Sequence, residues 1–381
     1  MLSFWEQRHF VDYDYLIIGG GIVGLSTAAS LAEKQPDKKI VLLERGIFPT
    51  GASTKNAGFA CFGSLTELLS DLQSMERESV LGLVNDRWTG LRKLRDRLGE
   101  EAIGYHCHGG YELISDKQMP ALQHIEAVNS MLLPIFGEPV FIQRNDLVKA
   151  FGFNREQTKA LVYNQFEGQI DTGKMMRSLL GYVQSKSNVT LLTGCEVKDF
   201  EDDRNKVKVR VCNTVSGSEI SFSADQVAVC TNAFTETLLP DLEIEPGRGQ
   251  VLVTKPIDGL KFKGVFHMDE GYYYFRNYGN RVIFGGGRNQ DFEGEATTEF
   301  KNTDHIINVL KEKLEKMILP DQTFEVEHQW AGIMAFGQSR QPICRRVSPK
   351  VVAGVRLGGM GVAIGSNLGE RLALMMTEAN S

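Results

Sequence analysis

Leu16-Ile17-Ile18 breaks into Gly19-Gly20-Gly21-Ile22-Val23-Gly24, and a stretch rich in Ala, Ser and Leu then runs to Lys34. The pattern predicts a buried parallel strand, a tight turn and a helix. Gly19, Gly21 and Gly24 fit G-x-G-x-x-G, where the three missing side chains allow the sharp turn, the approach of a pyrophosphate to the backbone, and helix packing on the strand. The helix, expected from Leu25 to Lys34, would offer unpaired N–H groups and a favourable dipole to phosphate at its N-terminus. A second apolar run, Ile40 to Leu43, ends at Glu44, about twenty positions on, where an acidic residue can accept hydrogen bonds from ribose hydroxyls. A plain glycine turn in an ordinary α/β fold has no need of Glu44. The stretch therefore reads as the start of a dinucleotide-binding domain.

At 381 residues the chain has room for about two domains. A net charge of −6 and the lack of Lys/Arg runs argue against a nucleic-acid or anionic-membrane surface, where phosphate neutralisation drives binding. Tyr15 to Ala32 carries no charge and could pass for a membrane span, but Glu6, Asp12 and Asp14 precede it and glycines interrupt it. No transmembrane segment is expected. The six cysteines form no C-x-x-C pair and read as reduced thiols, which places the protein in the cytoplasm.

Phe4 and Trp5 read as aromatic anchors of an N-terminal arm. Gly51-Ala52-Ser53-Thr54-Lys55-Asn56-Ala57-Gly58 is small, polar and suited to hydrogen-bonding a ligand, and it runs straight into apolar Phe59 to Phe62. Ser64-Leu65-Thr66-Glu67 fits a helical capping box, and a core helix is expected over about 80–98. His106 and His108 share one face of a strand with no third ligand in prospect, so no metal site is expected. Lys206 to Val211 alternates charge and valine as a half-exposed strand. Thr231-Asn232-Ala233 forms a polar turn after the buried run ending at Cys230, where open α/β sheets bind ligands. From Gly249 to Gly287 the texture is that of an antiparallel sheet, with Tyr278-Gly279-Asn280 as a hairpin turn and a helix from about Asp304 to Met317. The chain then returns through Trp330-Ala331-Gly332, a strand from Val351 to Val355, and Gly358-Gly359-Met360-Gly361-Val362 into a last helix.

Taken together, the N-terminal glycine motif with Glu44, the 51–58 loop, the Thr231-Asn232-Ala233 turn and the Gly359-Met360-Gly361-Val362 element resemble the D-amino-acid oxidase-like flavoproteins. That family includes glycine, sarcosine and γ-glutamylputrescine oxidases. Phe4-Trp5-Glu6 and the hairpin from Tyr274-Phe275-Arg276 to Gly285-Gly286-Gly287 bring it nearest the last type. The resemblance implies an α/β fold in which a Rossmann-like FAD-binding domain (1–85, 160–245 and 326–381) is interleaved with an α+β substrate domain built on an antiparallel sheet (86–159 and 246–325). It implies FAD held by Gly19, Gly21, Ile22, Val23, Gly24, Glu44 and Arg45. Ala52, Ser53, Thr54, Asn56, Ala57 and Gly58 would join them, with Val197, Thr231, Asn232, Ala233 and the Gly358 to Val362 turn. Gly332 stands where sarcosine oxidases carry a linking Cys, and Lys55 where dimethylglycine-type relatives carry a linking His, so noncovalent FAD is expected. A flavin also explains the C-terminal turn, because a helix N-terminus there would face the negative charge of the reduced ring.

Three departures bear on chemistry. Ala331-Gly332-Ile333-Met334 lacks the carboxylate-clamping Arg of family amino-acid oxidases. Arg356 stands where relatives have Gly, and Tyr272, Tyr274 and Arg276 alternate so as to share a sheet face over the flavin. These four are the candidate catalytic and substrate-binding residues. Ile283 lies near where sarcosine oxidases place the Lys that promotes reaction with oxygen. The expected reaction is hydride transfer from a small amine or amino acid to flavin N5, leaving an imine that hydrolyses, with O2 or another acceptor reoxidising the flavin. The alternatives are oxidation of a 2-hydroxy acid, for which no histidine suggests itself as base, and a flavin-binding subunit without turnover. The oligomeric state stays open.

Overall fold

The structure, a computed structural model, describes residues 2–203, 205–212, 217 and 219–378. Strands Asp12–Ile18 and Ile40–Glu44 are buried almost throughout because both faces of their sheet are covered. The sheet runs Ile343–Ser348, Val351–Val355, Glu219–Val229, Asp12–Ile18, Ile40–Glu44, Val189–Thr193. Along this path the pairings are parallel except that of the first two strands. Side-chain alternation splits the apolar runs between two cores. Tyr15, Ile17 and Leu42 pack with helices Ile22–Lys34, Arg77–Leu98, Thr172–Gln184 and Gly361–Glu378. Leu16, Ile18 and Val41 pack instead with Val207, Val209 and Phe222 from an antiparallel extension of the sheet. The valines of Val207–Cys212 are buried and Lys208 and Arg210 exposed, as the alternation predicts.

The last helix lies close on the first. A Cβ at Gly369 would stand 2.6 Å from the Ser26 Cβ, and one at Gly365 2.6 Å from the Ile22 Cγ2. Such spacing needs glycine on one partner.

A second sheet runs Val326–Phe336, Glu245–Thr254, Arg281–Gly286, Tyr273–Tyr278, Val265–Met268, Gly110–Ile114, Ala160–Asn164, Phe141–Gln143. It is antiparallel apart from the pairing of Val265–Met268 with Gly110–Ile114. Its core is aromatic, with Phe266 and Phe275 stacked at 4.6 Å and Phe262 edge-on to both. Gly279, at φ 58°, turns the expected hairpin. Helix Asp304–Lys313 continues as Leu314–Ile318 and covers this core. The mixed α/β architecture with two large sheets is the fold class the glycine motif and β-hairpin texture predict.

Some segments sit elsewhere than their expected ranges. Ala160–Asn164 and Val326–Phe336 belong to the second sheet, because each pairs along its length with a strand of that sheet. Helix Arg77–Leu98 packs on the first sheet's helices through Leu91 and Leu94. Phe4 and Trp5, expected as anchors, are instead exposed on a short helix, Phe4–His9, capped by Ser3. The Ser64–Glu67 capping box is present, with Ser64 N donating to the Glu67 carboxylate at 2.9 Å.

Candidate active site

Helix Ile22–Lys34 begins three residues before the expected Leu25, because the chain is already helical after Gly21, and its first turn is short of acceptors. Leu25 N bonds to Gly21 O at 2.9 Å, while Ile22 N donates to the Ser53 hydroxyl at 2.9 Å. That hydroxyl keeps its own proton for an anion at the same place. A Cβ at Gly24 would collide with the Gly19 carbonyl, so strand and helix meet at glycine. Glu44 is buried at the tip of its strand. One carboxylate oxygen accepts from Gly20 N and the other from Gly46 N, each at 2.8 Å, and both retain lone pairs. Arg45 lies 3.9 Å from the centre of the Phe234 ring.

The 51–58 loop holds itself in shape. Asn56 Nδ2 donates to Ser53 O at 2.8 Å, its Oδ1 accepts from Gly58 N at 2.9 Å, and Thr54 Oγ1 donates to Pro49 O at 2.9 Å. At the end of strand Val351–Val355 the backbone turns through positive φ at Arg356, Gly358 and Gly359 before helix Gly361–Glu378 starts.

These segments enclose one cavity of about 690 Å³. Of the expected cofactor residues it is lined by Gly19, Gly21, Ile22, Val23, Glu44, Arg45, Ala52, Ser53, Asn56, Ala57, Val197, Thr231, Asn232, Ala233 and Gly358 to Val362. Gly24, Thr54 and Gly58 are outside the lining. Gly24 faces the strand at Gly19 and Ile17, Thr54 points its hydroxyl at Pro49, and Gly58 is covered by the Ile170 carbonyl and Arg276. Gly332 and Lys55, the two positions read as lacking a flavin link, both line the cavity, with a Gly332 Cβ 3.1 Å from the Lys55 Cβ. A chain of backbone donors beside glycines, a buried carboxylate with spare lone pairs and a helix start at the far end fit FAD.

At the other end the cavity is walled by Tyr272, Tyr274, Phe59, Met334, Phe292 and Phe336. Tyr274 meets Phe59 edge-on at 5.5 Å, and burial pushes its hydroxyl up to about 12. The expected alternation of Tyr274 and Arg276 holds, yet the two differ in access. Segment 57–59 crosses this face, placing Phe59 beside Tyr274 and laying backbone over Arg276. Arg276 donates to the carbonyls of Ala57, Ile170 and Asn277 and does not line the cavity. Burial lowers its pKa to about 10. Arg356 is in the lining, but its guanidinium donates to Gln341 O and Glu243 O. Both arginines are bound to the chain's own backbone.

The sequence reading missed a buried cluster below this end. His267 Nε2 is 2.9 Å from the Glu167 carboxylate, and its Nδ1 is 3.9 Å from that of Glu67. Burial opposes its charge, but Glu167, Glu67 and Glu112 outweigh that and raise its pKa to about 9. Glu112 is raised to about 7 by burial, against hydrogen bonds from Ser64 and Thr66. Cys61, Glu167 and His267 bring their ligand atoms within 4.8 Å of one another, unlike His106 and His108, which stack on each other. His267 and Cys61 line the cavity. No local motif marks this cluster, since its members come from the second sheet, from the short pairing of Phe59–Ala60 with Gly168–Gln169 and from helix Leu65–Ser74.

A profile of the DAO family, described as FAD dependent oxidoreductase, matches residues 14–375. The chain belongs to the FAD-dependent oxidoreductase family. This oxidoreductase is 26% identical over 380 residues to the probable oxidoreductase OrdL of Rhizobium meliloti (strain 1021), covering 94% of this chain and 82% of the relative. It is 54% identical over 240 residues to the L-2-hydroxyglutarate dehydrogenase of Escherichia coli (strain K12), covering 62% of this chain and 51% of the relative. The crystal structure of glycine oxidase from Geobacillus kaustophilus superposes on the oxidoreductase with a TM-score of 0.76 at 18% identity, over 97% of this chain and 95% of that one. Among its described residues no helix is long and apolar enough to cross a membrane, and the six cysteines are free.

Proposed function

We propose that the oxidoreductase oxidises a small amine or amino acid bound at the aromatic end of the cavity. One observation carries the reading: glycine turns from both ends of the chain and the Tyr272–Tyr274 segment line a single space. When bound there noncovalently, FAD would supply a hydride acceptor at N5, and the substrate carbon bearing nitrogen would become an imine that hydrolyses. The chain's own residues then have three tasks. Glu44 and the first turn after Gly21 hold the dinucleotide by hydrogen bonds to ribose and phosphate. The start of helix Gly361–Glu378 places positive dipole at the ring end. Tyr272, Tyr274, Phe59 and Met334 exclude water and fix the substrate carbon, which is the main demand of hydride transfer. Arg276 and Arg356 serve as struts in this reading, and the cofactor and substrate regions remain interleaved along the chain.

The type of substrate in relatives supports the amine reading by analogy, glycine oxidase being a structural neighbour. Oxidation of a 2-hydroxy acid is the second reading, favoured by one observation: His267, paired with Glu167, lines the cavity and supplies the base that the sequence alone did not suggest. With its pKa at about 9, His267 holds a proton at neutral pH, so hydroxy-acid oxidation by this route would rise as pH approaches 9. Anaerobic mixing with a panel of amines, amino acids and 2-hydroxy acids, following the bleaching of flavin absorbance, tests both. Bleaching by hydroxy acids alone would overturn the amine reading. Acid precipitation tests the cofactor link: FAD left in the supernatant supports noncovalent binding, and FAD pelleted with the protein refutes it.

A further inference from the structure

One cation at the aromatic end of the cavity has been given no partner. Arg288 follows Gly285-Gly286-Gly287 at the close of strand Arg281–Gly286. Gly287, at φ 83°, donates its N–H to the Tyr272 carbonyl at 2.9 Å, pinning the turn beside Tyr272. A Cβ at Gly286 would collide with that same carbonyl, so a turn this tight needs glycine. The turn leaves the Arg288 guanidinium 4.2 Å from the centre of the Phe336 ring and 5.2 Å from that of Phe292. Arg288 lines the cavity and its Nε is buried with no hydrogen-bond partner. Among the described residues its guanidinium makes no hydrogen bond and no ion pair.

The neighbouring arginines are all engaged. Arg340 is on Asp71 and donates to Ser70 at 3.2 Å. Arg87 donates to Phe62 O at 2.8 Å and has Asp71 and Glu67 close by. Arg248 holds Glu295 through two hydrogen bonds, so Glu295 acts on Arg288 only from a distance. Burial depresses the Arg288 pKa, and Tyr272, Glu245 and Glu295, which favour its charge from a distance without forming an ion pair, only partly offset that. Such a group is costly in a finished fold and suits a place where a ligand completes it. Rings beside the guanidinium leave its planar edge as the free donor surface, and that edge matches a carboxylate bidentately.

We propose that Arg288 binds the substrate's carboxylate, so that the substrate is an acid, either an amino acid or a 2-hydroxy acid, and a neutral amine is excluded. The proposal deepens the oxidoreductase reading and rests on it for the chemistry at the adjacent carbon. It replaces the clamp missing at Met334 with one from a different strand, and Tyr272 and Tyr274 then hold the carbon skeleton beside it.

Isothermal titration calorimetry of the FAD-loaded protein with benzoate and with benzamide tests the assignment without turnover. Benzoate should bind at least about 10-fold more tightly than benzamide. R288M should weaken benzoate about 30-fold or more, leaving benzamide affinity and FAD content unchanged. R288K, which keeps the charge and loses the fork, should weaken benzoate by about 5–10-fold and serves where R288M does not fold. Equal affinity of the wild type for benzoate and benzamide overturns the proposal, as does benzoate binding by either variant within about twofold of wild type. Flavin bleaching by amines with benzoate binding indifferent to Arg288 would sink the proposal and spare the amine reading. Arg288-dependent benzoate binding with no bleaching by any member of the panel would support it and sink the substrate reading.

Discussion

Asn232 and Arg356 grip each other across the two turns that flank the cavity. The Asn232 side-chain oxygen accepts from Arg356 N at 3.1 Å, and both residues sit at positive φ, 49° and 62°. Non-glycine residues adopt this region seldom, Asn more readily than most. The bond fixes the ends of two neighbouring parallel strands, Glu219–Val229 and Val351–Val355, where the cofactor turns begin. N232A removes the acceptor and puts alanine in a strained conformation, so it should cost about 1–3 kcal/mol. Thermal unfolding monitored by circular dichroism measures this, and an unchanged melting temperature would dismiss the link as incidental.

Loss of the Glu44 carboxylate should weaken FAD binding. E44A is expected to reduce affinity by about 1–3 kcal/mol, roughly 5- to 150-fold, through a lost charge-assisted hydrogen bond and the release of Gly20 and Gly46. Titration of apoprotein with FAD, followed by flavin fluorescence, gives the number. Wild-type affinity in E44A would mean that the carboxylate serves only its two backbone donors.

Stability should fall from about pH 5 to pH 9. His267 is raised from 6.5 to about 9, so its contribution is complete below about 6.5 and lost as pH climbs through 9. Glu112 is raised from 4.5 to about 7 and also holds its proton more tightly when folded, so stability drops as it ionises between those values. H267Q should melt lower than wild type at neutral pH, because Glu167 is left without its cation. It should also flatten the decline between pH 6.5 and 9. A wild-type slope retained in H267Q would assign the pH dependence to other groups.

Arg248, on strand Glu245–Thr254, and Glu295, in the segment between Arg281–Gly286 and helix Asp304–Lys313, form a buried ion pair with side chains 5% and 1% exposed. Removing one partner strands the other, so R248M should cost about 3–5 kcal/mol. The double variant R248M/E295M should recover much of that. Urea unfolding of R248M, E295M and R248M/E295M decides it, and strict additivity of the two single losses would contradict the coupling.

How far the chain could be read in advance depended on the reach of each interaction. Gly19, Gly21, Gly24 and Glu44 form a local signature, because strand, turn and helix follow one another within one β-α-β unit. The 278–280 hairpin and the Ser64–Glu67 cap were legible for the same reason. Tyr274 and Arg276 share a face as their spacing requires, but spacing carried no sign that segment 57–59 would cover Arg276. His267 meets Glu167 from a strand distant in sequence, and Arg288 is distinguished by what it lacks, a partner, which only the assembled fold reveals. Ala160–Asn164 was assigned to the wrong neighbourhood because a short apolar run does not say which sheet it will join.

The close seat of Gly365 and Gly369 against Ile22 and Ser26 makes the final helix a structural partner of the first. The β-α-β unit that leaves the ribosome early has no lid for one flank of its core until this helix arrives. Strand Val351–Val355, which pairs beside Glu219–Val229, arrives just before it. A nascent chain interrupted before Gly358 would thus hold the phosphate-binding turn without the opposite wall of the cavity. Cofactor capture would accordingly await that helix, and a yellow colour would report that the chain had been made past Val362 and had closed upon itself.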